Sequence, residues 1–144
     1  MFKIENCISF NTSNRTRVVS DVFNEVLIAN GTTRVQWTAL YFIANNPRIN
    51  QSRLSELMMI KSSTVVRLID RMRKEDLVIK TPLDSDRRNT LLTCSEKGKD
   101  LFENILPKVE EFEELILKNI DEDKLQICMD VLVSMSKNAK ILQE

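Results

Sequence analysis

The chain has 144 residues, and its 21 basic and 21 acidic side chains give a formal net charge of zero. The length allows one domain, or one domain with an appended interface, and the zero charge excludes a uniformly basic nucleic-acid coat. Histidine is absent and only two glycines occur, which excludes histidine-based catalysis, imidazole metal sites and a glycine-rich phosphate loop. We therefore expect neither an enzyme nor a bound metal or cofactor.

The N-terminal segment lacks the apolar core of a signal peptide, and no apolar run approaches the roughly 18 residues that span a bilayer. Three widely spaced cysteines, Cys7, Cys94 and Cys128, match neither a zinc site nor a disulfide framework. These features predict a soluble, reduced, cytoplasmic protein that makes no use of a membrane.

Two amphipathic helices are predicted in the first third of the chain. Apolar residues at three- and four-residue spacing indicate a helix over about residues 4–29, ended by Gly31. Thr33 and Gln36 have the spacing of a capping box, which predicts a second helix from Arg34 to about Asn46. This helix carries Trp37 and Tyr41, which by the burial preferences of aromatic residues we interpret as core or cleft-wall residues.

Two short helices and a hairpin are predicted next. Asn50 is a candidate N-cap for a helix over about residues 51–58, and Ser62 or Ser63 for one that runs to about Glu75. The inner face of the latter is apolar (Val65, Leu68, Ile69, Met72) and its outer face is polar (Ser63, Thr64, Arg67, Arg71, Lys74). Residues 77–81 and 90–94 predict two strands, joined by a charged turn at 82–89.

The last third of the chain is predicted to be helical. Leu101, Ile105, Val109, Phe112 and Ile116 form one apolar stripe, and Leu125, Cys128, Met129, Leu132, Met135 and Leu142 form another. Residues 119–121 are the expected break between them. Pro107 lies inside the first stripe, so it should either kink that helix or mark its true start.

Two short helices followed by a hairpin with a basic tip are typical of a winged helix-turn-helix. One helix fits a DNA major groove, where its side chains meet base edges. The hydroxyls of Ser62, Ser63 and Thr64 permit close approach, and Arg67 and Arg71 reach further. At the hairpin tip, Arg87 and Arg88 suit the narrow minor groove, and Asp86 can orient Arg88 through a bidentate pair.

The same residues have plainer interpretations. Arg67 and Arg71 also fit a solvated helix face, the tip arginines fit an exposed turn, and winged helices also serve as protein-interaction modules that bind no DNA. Cys7 lies near the start of the first helix, where a helix dipole can activate a thiol for redox sensing. Free cysteine is nevertheless among the most buried residue types, and we expect Cys94 and Cys128 to be packing residues.

The chain resembles the MarR (multiple antibiotic resistance regulator) family of dimeric transcription regulators along almost its whole length. The matching stretches are residues 33–37, 51–57, 62–72 and 84–88, with Gly98 where the family has a glycine after the wing. The resemblance implies that the helix beginning at Ser62 reads the major groove of a pseudo-palindromic operator. It also implies that Arg88 enters the minor groove held by Asp86, and that Arg87 binds the DNA backbone.

The resemblance further implies a homodimer that acts as a repressor, with release by a small-molecule effector or by thiol oxidation left open. The implied dimerisation region comprises residues 1–30 and 100–144, and the DNA-binding region comprises residues 31–99. The effector cleft would lie between these regions. The sequence departs from the family pattern at Asp76, Met59 and Lys61, and Cys94-Ser95 replaces a frequent Leu-Thr, although Ser95 can still cap a helix.

The neutral total hides a segregated charge. Residues 48–99 carry 12 basic and 7 acidic side chains, a net charge of +5, whereas residues 100–144 carry 5 basic and 11 acidic ones, a net charge of −6. A basic middle suits phosphate, and an acidic helical end opposes non-specific wrapping of DNA. The composition is therefore compatible with a DNA-binding regulator after all.

Overall fold

A computed structural model describes residues 1–83 and 86–142, apart from the side chains of residues 83 and 86–89. Within these residues a 3-10 turn at Ile4–Asn6 precedes six α-helices and one hairpin. These are α1 (Ile8–Ala29), α2 (Arg34–Asn45), α3 (Gln51–Met58), α4 (Ser62–Lys74), β1 (Val78–Leu83), β2 (Asp86–Cys94), α5 (Glu96–Ile116) and α6 (Glu122–Ile141). The predicted fold class, mainly helical with a small hairpin wing, is confirmed.

The chain divides into two compact units, residues 1–110 and residues 111–144, with the boundary inside α5. The first unit holds the buried core, because α2, α3, α4 and the hairpin pack on one another. Its second, smaller cluster joins α1, α2 and α5 through Leu27, Trp37 and Ile105. In the second unit, none of the described side chains is buried.

α4 has the two faces that its sequence predicts. Val65, Leu68, Ile69 and Met72 are all buried in the larger core. Asp76 follows the helix in the left-handed conformation at φ +57°, which aspartate adopts more readily than most residues. The chain then turns back, and the Leu77 amide donates to the Met72 carbonyl at 2.8 Å.

The hairpin is longer and better connected than predicted. β1 runs to Leu83 and β2 begins at Asp86, so the predicted turn over residues 82–89 was too long. Outside the hairpin, Asn50 pairs with Leu91 in an isolated antiparallel bridge, and the Leu92 amide donates to the Ile49 carbonyl at 2.8 Å. This bridge, absent from the sequence prediction, attaches the start of α3 to the base of the wing.

The junction between the wing and α5 is tightly packed. The Ser95 hydroxyl donates to the Asp76 carbonyl at 2.6 Å and accepts from the Gly98 amide at 3.0 Å, as expected for a capping serine. A Cβ atom on Gly98 would overlap the carbonyl oxygen of Leu77. Glycine is therefore required here for close approach of the helix to the turn after α4.

The predicted helix boundaries are confirmed at α2 and α3. Thr33 and Gln36 form the predicted capping box, and the Asn50 side chain accepts from the Arg53 amide at 2.8 Å. Met59 then ends α3 in the left-handed conformation at φ +55°. This is the strained position at which a glycine would be expected.

Two predicted boundaries were wrong, and a third position had two alternatives. Neither Ser62 nor Ser63 is the N-cap of α4, because the cap position is Lys61, whose side chain makes no capping hydrogen bond. The first helix does not begin at residue 4, because Cys7 is extended and separates the 3-10 turn from α1. Pro107 does not mark the start of the helix but lies inside α5, the position from which a kink is expected.

The predicted break after α5 is confirmed by Asn119, which has φ +63° in the turn before α6. The apolar stripe of α6 is helical, but Leu125, Leu132 and Met135 are only half-buried and Cys128 and Met129 are exposed. Among the described residues, no helix has the length and apolar character needed to cross a membrane.

Candidate nucleic-acid interface

The outward face of α4 is polar and exposed. Ser62, Ser63, Thr64, Arg67 and Arg71 are all exposed. Because the opposite face of this helix is held in the core, these side chains are presented together toward solvent. The arrangement is the one that a helix needs to enter a DNA groove.

Arg67 and Arg71 are one helical turn apart, and neither forms an ion pair with any side chain that the structure describes. Both contribute to a groove of about 390 Å³ between α4 and the start of α2, where Thr33, Val35, Thr64 and Leu68 are the other lining residues. Two basic groups on neighbouring elements are instead paired, Arg53 with Glu56 at 2.8 Å and Lys80 with Asp70 at 2.7 Å. The two guanidinium groups on the outward face are thus available to an anionic partner.

Ser62 differs from its neighbours because it contacts α3. Its Oγ lies 3.3 Å from the Oγ of Ser55, and the Ser55 hydroxyl already donates to the Ser52 carbonyl at 2.8 Å. A hydroxyl has one proton, so Ser62 is the donor in the contact with Ser55. Ser62 therefore joins the two short helices, whereas Ser63 and Thr64 have no such contact with α3.

The wing residues Asp86, Arg87 and Arg88 lie at the start of β2, but their side chains are outside the described part of the chain. The base of the wing is joined to α4, since the ammonium of Lys80 on β1 donates to Oδ1 of Asp70 at 2.7 Å. This hydrogen bond holds the pKa of Asp70 below its usual value against the opposing effect of burial, and the charges of Lys80, Arg73 and Lys74 lower it further. Asp70 thus helps to position the wing, a role that sequence reasoning missed because the pair is ten residues apart.

The end of α4 is fixed to α2 and α5. Nε2 of Gln36 donates to Oε2 of Glu75 at 2.6 Å, and Nζ of Lys97 donates to the Glu75 carbonyl at 2.7 Å. Gln36 therefore both completes its capping box and bonds across 39 positions of the chain. The second contact could not be read from the capping pattern.

The three cysteines lie in different surroundings. Cys94 is buried, as predicted, with its Sγ 3.8 Å from the Leu40 carbonyl, and burial raises the pKa of its thiol. Cys7 is half-buried at the cap position of α1, and Cys128 is exposed rather than packed. No cluster of three or more potential metal ligands occurs among the described residues.

Trp37 is buried, which confirms the core interpretation, whereas Tyr41 is partly exposed. The Trp37 ring stacks on Phe102 with a centroid distance of 6.0 Å and meets the edge of Phe23 at 6.2 Å. Tyr41 contacts both Trp37 and Phe102. These rings join α1, α2 and α5 within the first unit.

Comparisons with known proteins agree with this geometry. Residues 30–89 match the model of the MarR family. The HTH-type transcriptional regulator MhqR of Bacillus subtilis (strain 168) is 22% identical over 125 residues, which is 86% of each chain.

Solved structures with the same fold include BpsR of Bordetella bronchiseptica, whose DNA binding is regulated by 6-hydroxynicotinic acid; it has a TM-score of 0.85 at 17% identity and covers 94% of this chain and 97% of its own. The transcriptional repressor CouR, bound to a 23-mer DNA duplex, has a TM-score of 0.82 at 18% identity, covering 94% and 99%. The chain is therefore similar to MarR family regulators in sequence over residues 30–89 and shares the winged-helix fold of their solved structures.

Proposed function

We propose that this regulator binds a pseudo-palindromic DNA operator as a homodimer and represses transcription. The observation that carries the proposal is the outward face of α4, where hydroxyls and two unpaired guanidinium groups stand together opposite a fully buried apolar face. An unpaired arginine is suited to phosphate oxygens or to a guanine edge. The protein has no role as an enzyme in this proposal and acts in the cytoplasm, where bacterial DNA is.

Each part of the DNA-binding region has a distinct role in this proposal. Ser63, Thr64, Arg67 and Arg71 contact the major groove, and Ser62 supports the helix from behind through Ser55. Arg88, oriented by Asp86, enters the minor groove, while Arg87 binds the backbone. Two copies of α4 then occupy successive major grooves about 34 Å apart.

The dimer is proposed to form through residues 1–30 and 100–144. Many large apolar side chains in these segments are exposed in the single chain, among them Ile8, Phe10, Val22, Leu115, Ile127 and Val131. Exposed apolar residues at this density on helices are typical of an interface that a second chain covers. The DNA-binding region then comprises residues 31–99.

Release from DNA is proposed to depend on a small-molecule effector. BpsR, whose DNA binding responds to 6-hydroxynicotinic acid, supplies the precedent for this fold. An effector that binds one spacing of the two recognition helices more tightly shifts the population toward or away from the DNA-binding state. Oxidation of Cys7 is the alternative trigger, because its half-buried position at the start of α1 leaves it open to reagents.

Duplex binding at several salt concentrations tests the proposal. The double variant Arg67→Ala/Arg71→Ala should bind its operator at least tenfold more weakly, and its salt dependence should fall by about one ion for each phosphate that is no longer neutralised. Arg88→Ala should also weaken binding strongly and leave the dimer intact. Lys108→Ala, which removes an exposed charge from α5, is the matched control and should change nothing.

Two results would contradict the proposal. Unchanged operator affinity in the double variant would show that α4 is not part of the DNA interface. Absence of any salt-dependent binding to duplex DNA by the unaltered chain would favour the alternative, a winged helix that contacts another protein.

A further inference from the structure

A cavity of about 630 Å³ lies within the first unit, between the end of α2, the base of the hairpin and the start of α5. Its floor is apolar and closed, because the lining residues Ile43, Leu92 and Cys94 are all at least nine-tenths buried. The volume falls within the range of small-molecule sites, roughly 300 to 1,000 Å³. Trp37 and Tyr41 do not line it.

The rim of this cavity carries more negative than positive charge. Its charged lining residues are Glu96, Lys99 and Glu103. The Lys99 ammonium donates to Oε1 of Glu96 at 2.7 Å, and this hydrogen bond raises the pKa of Lys99, with Glu103 adding a weaker attraction. The ammonium of Lys99 is therefore paired with Glu96, whereas Glu103 forms no ion pair with any described side chain.

Asn45, another polar residue that lines the cavity, also offers a hydrogen-bond acceptor. Nδ2 of Asn45 donates to the Tyr41 carbonyl at 2.9 Å. Its side-chain oxygen is thereby turned away from that bond and is left to accept from a ligand. The ring of Phe102 lines the cavity as well, and aromatic rings attract cations within about 6 Å of their centroids.

We propose that this cavity binds an amphipathic organic cation. An aromatic or branched apolar body covers Ile43, Leu92 and Cys94, and the cationic group lies at the rim, where the excess negative charge of Glu96 and Glu103 neutralises it. An organic anion of the same shape should bind more weakly, because the excess negative charge repels it. The ammonium of Lys99 does not compensate, because it is already bonded to Glu96.

Binding of a ligand in this cavity should also change the affinity of the protein for DNA. This part of the inference rests on the proposed DNA-binding function. The lining includes Ile79 of β1 and residues 92–94 of β2 on one side, and the first turns of α5 on the other. A ligand wedged between them favours one orientation of the wing base relative to α5. If the cation binds one orientation of the wing more tightly than the others, it shifts the population toward that orientation and thereby changes the affinity for DNA.

Isothermal titration calorimetry of the full chain with two ions of equal shape and opposite charge tests the binding. The tetraphenylphosphonium cation should bind at least tenfold more tightly than the tetraphenylborate anion. Glu103→Gln should weaken binding of the cation about fivefold, the size expected for one partly exposed charge. Ala44→Trp, which places a large ring at an exposed position of the lining, should abolish it.

Glu110→Gln is the matched control, because Glu110 is an exposed carboxylate seven residues further along α5 and outside the lining. The proposal is overturned if the anion binds as tightly as the cation, or if Glu103→Gln and Glu110→Gln have the same effect. The regulatory consequence is overturned if saturating cation binds but leaves DNA affinity unchanged. Failure of the unliganded chain to bind DNA would instead contradict the proposed function, and the calorimetric result would stand independently of it.

Discussion

α4 and α6 are both amphipathic helices, but only one of them has its apolar face covered by its own chain. α4 buries Val65, Leu68, Ile69 and Met72. α6 is longer and buries none of its residues, while Ile127 is 63% exposed and Met129 is 52% exposed. The two helices thus offer opposite surfaces to a partner: α4 is polar outward, and α6 is apolar outward.

The difference indicates what each helix is suited to bind. A helix whose apolar face is already satisfied is free to use its polar face for an anionic surface such as DNA. A helix with uncovered apolar residues along its length needs another apolar surface to reach a low free energy. One chain therefore carries a completed core beneath its proposed DNA-binding face and, on α6, an apolar surface that its own chain leaves exposed.

The largest effect is expected on self-association, when a charge is placed on α6. Ile127→Asp should weaken self-association at least 100-fold, because burying an unpaired carboxylate costs about 3 kcal/mol or more. Sedimentation equilibrium gives the dissociation constant directly. Val35→Asp is the control, since Val35 is an exposed apolar residue at the start of α2 in the first unit, and it should leave association unchanged. Equal behaviour of the two variants would show that the exposed apolar residues of α6 are not an interface.

A smaller effect, on the free energy of unfolding, is expected from a substitution at the contact between α5 and the turn after α4. Gly98→Ala adds a Cβ that overlaps the Leu77 carbonyl, and forcing the helix away should cost about 2 kcal/mol of unfolding free energy. Urea denaturation measures the loss. Gly31→Ala meets no neighbouring atom but lies at φ +86°, so it should cost about 1 kcal/mol through backbone strain alone. A Gly98 variant as stable as the wild type would mean that this junction is loose.

The smallest effect on the free energy of unfolding is expected from the ion pair between α4 and the wing. Asp70→Asn removes the ion pair with Lys80, and because Asp70 is half exposed the loss should stay below about 1 kcal/mol. Its folded pKa is lowered, so the contribution is present at neutral pH and disappears as pH falls through that value. Urea denaturation of Asp70→Asn and wild type should therefore give a larger difference in unfolding free energy at pH 7 than at pH 3. Glu56→Gln breaks a more exposed pair and should have a still smaller effect.

The sequence predicted best where a local pattern and the tertiary core agree. The inner face of α4 was identified residue by residue, because a 3.6-residue apolar period is the same signal that burial requires. The capping box at Thr33 was likewise predicted, since both of its bonds lie within one turn. The outward site residues follow from the same period.

Contacts between distant segments were missed. The bridge from Asn50 to Leu91 and the bond from Gln36 to Glu75 depend on how elements pack, and no local pattern encodes that. The start of α4 was misassigned because hydroxyl residues usually cap helices, whereas Ser62 here donates to Ser55 and Lys61 occupies the cap position. The acceptors that line the cavity beside α5 were also missed, because they come from two elements, α2 and α5, that no local pattern brings together.

The position of Trp37 has a practical consequence. It is the single tryptophan of the chain, it stacks on Phe102, and its indole Nε1 is buried without a hydrogen-bond partner among the described residues. An indole buried among aromatic and aliphatic side chains emits at short wavelength, and exposure to water shifts the emission to the red. The protein therefore contains its own optical probe of the joint between α1, α2 and α5, readable without any label.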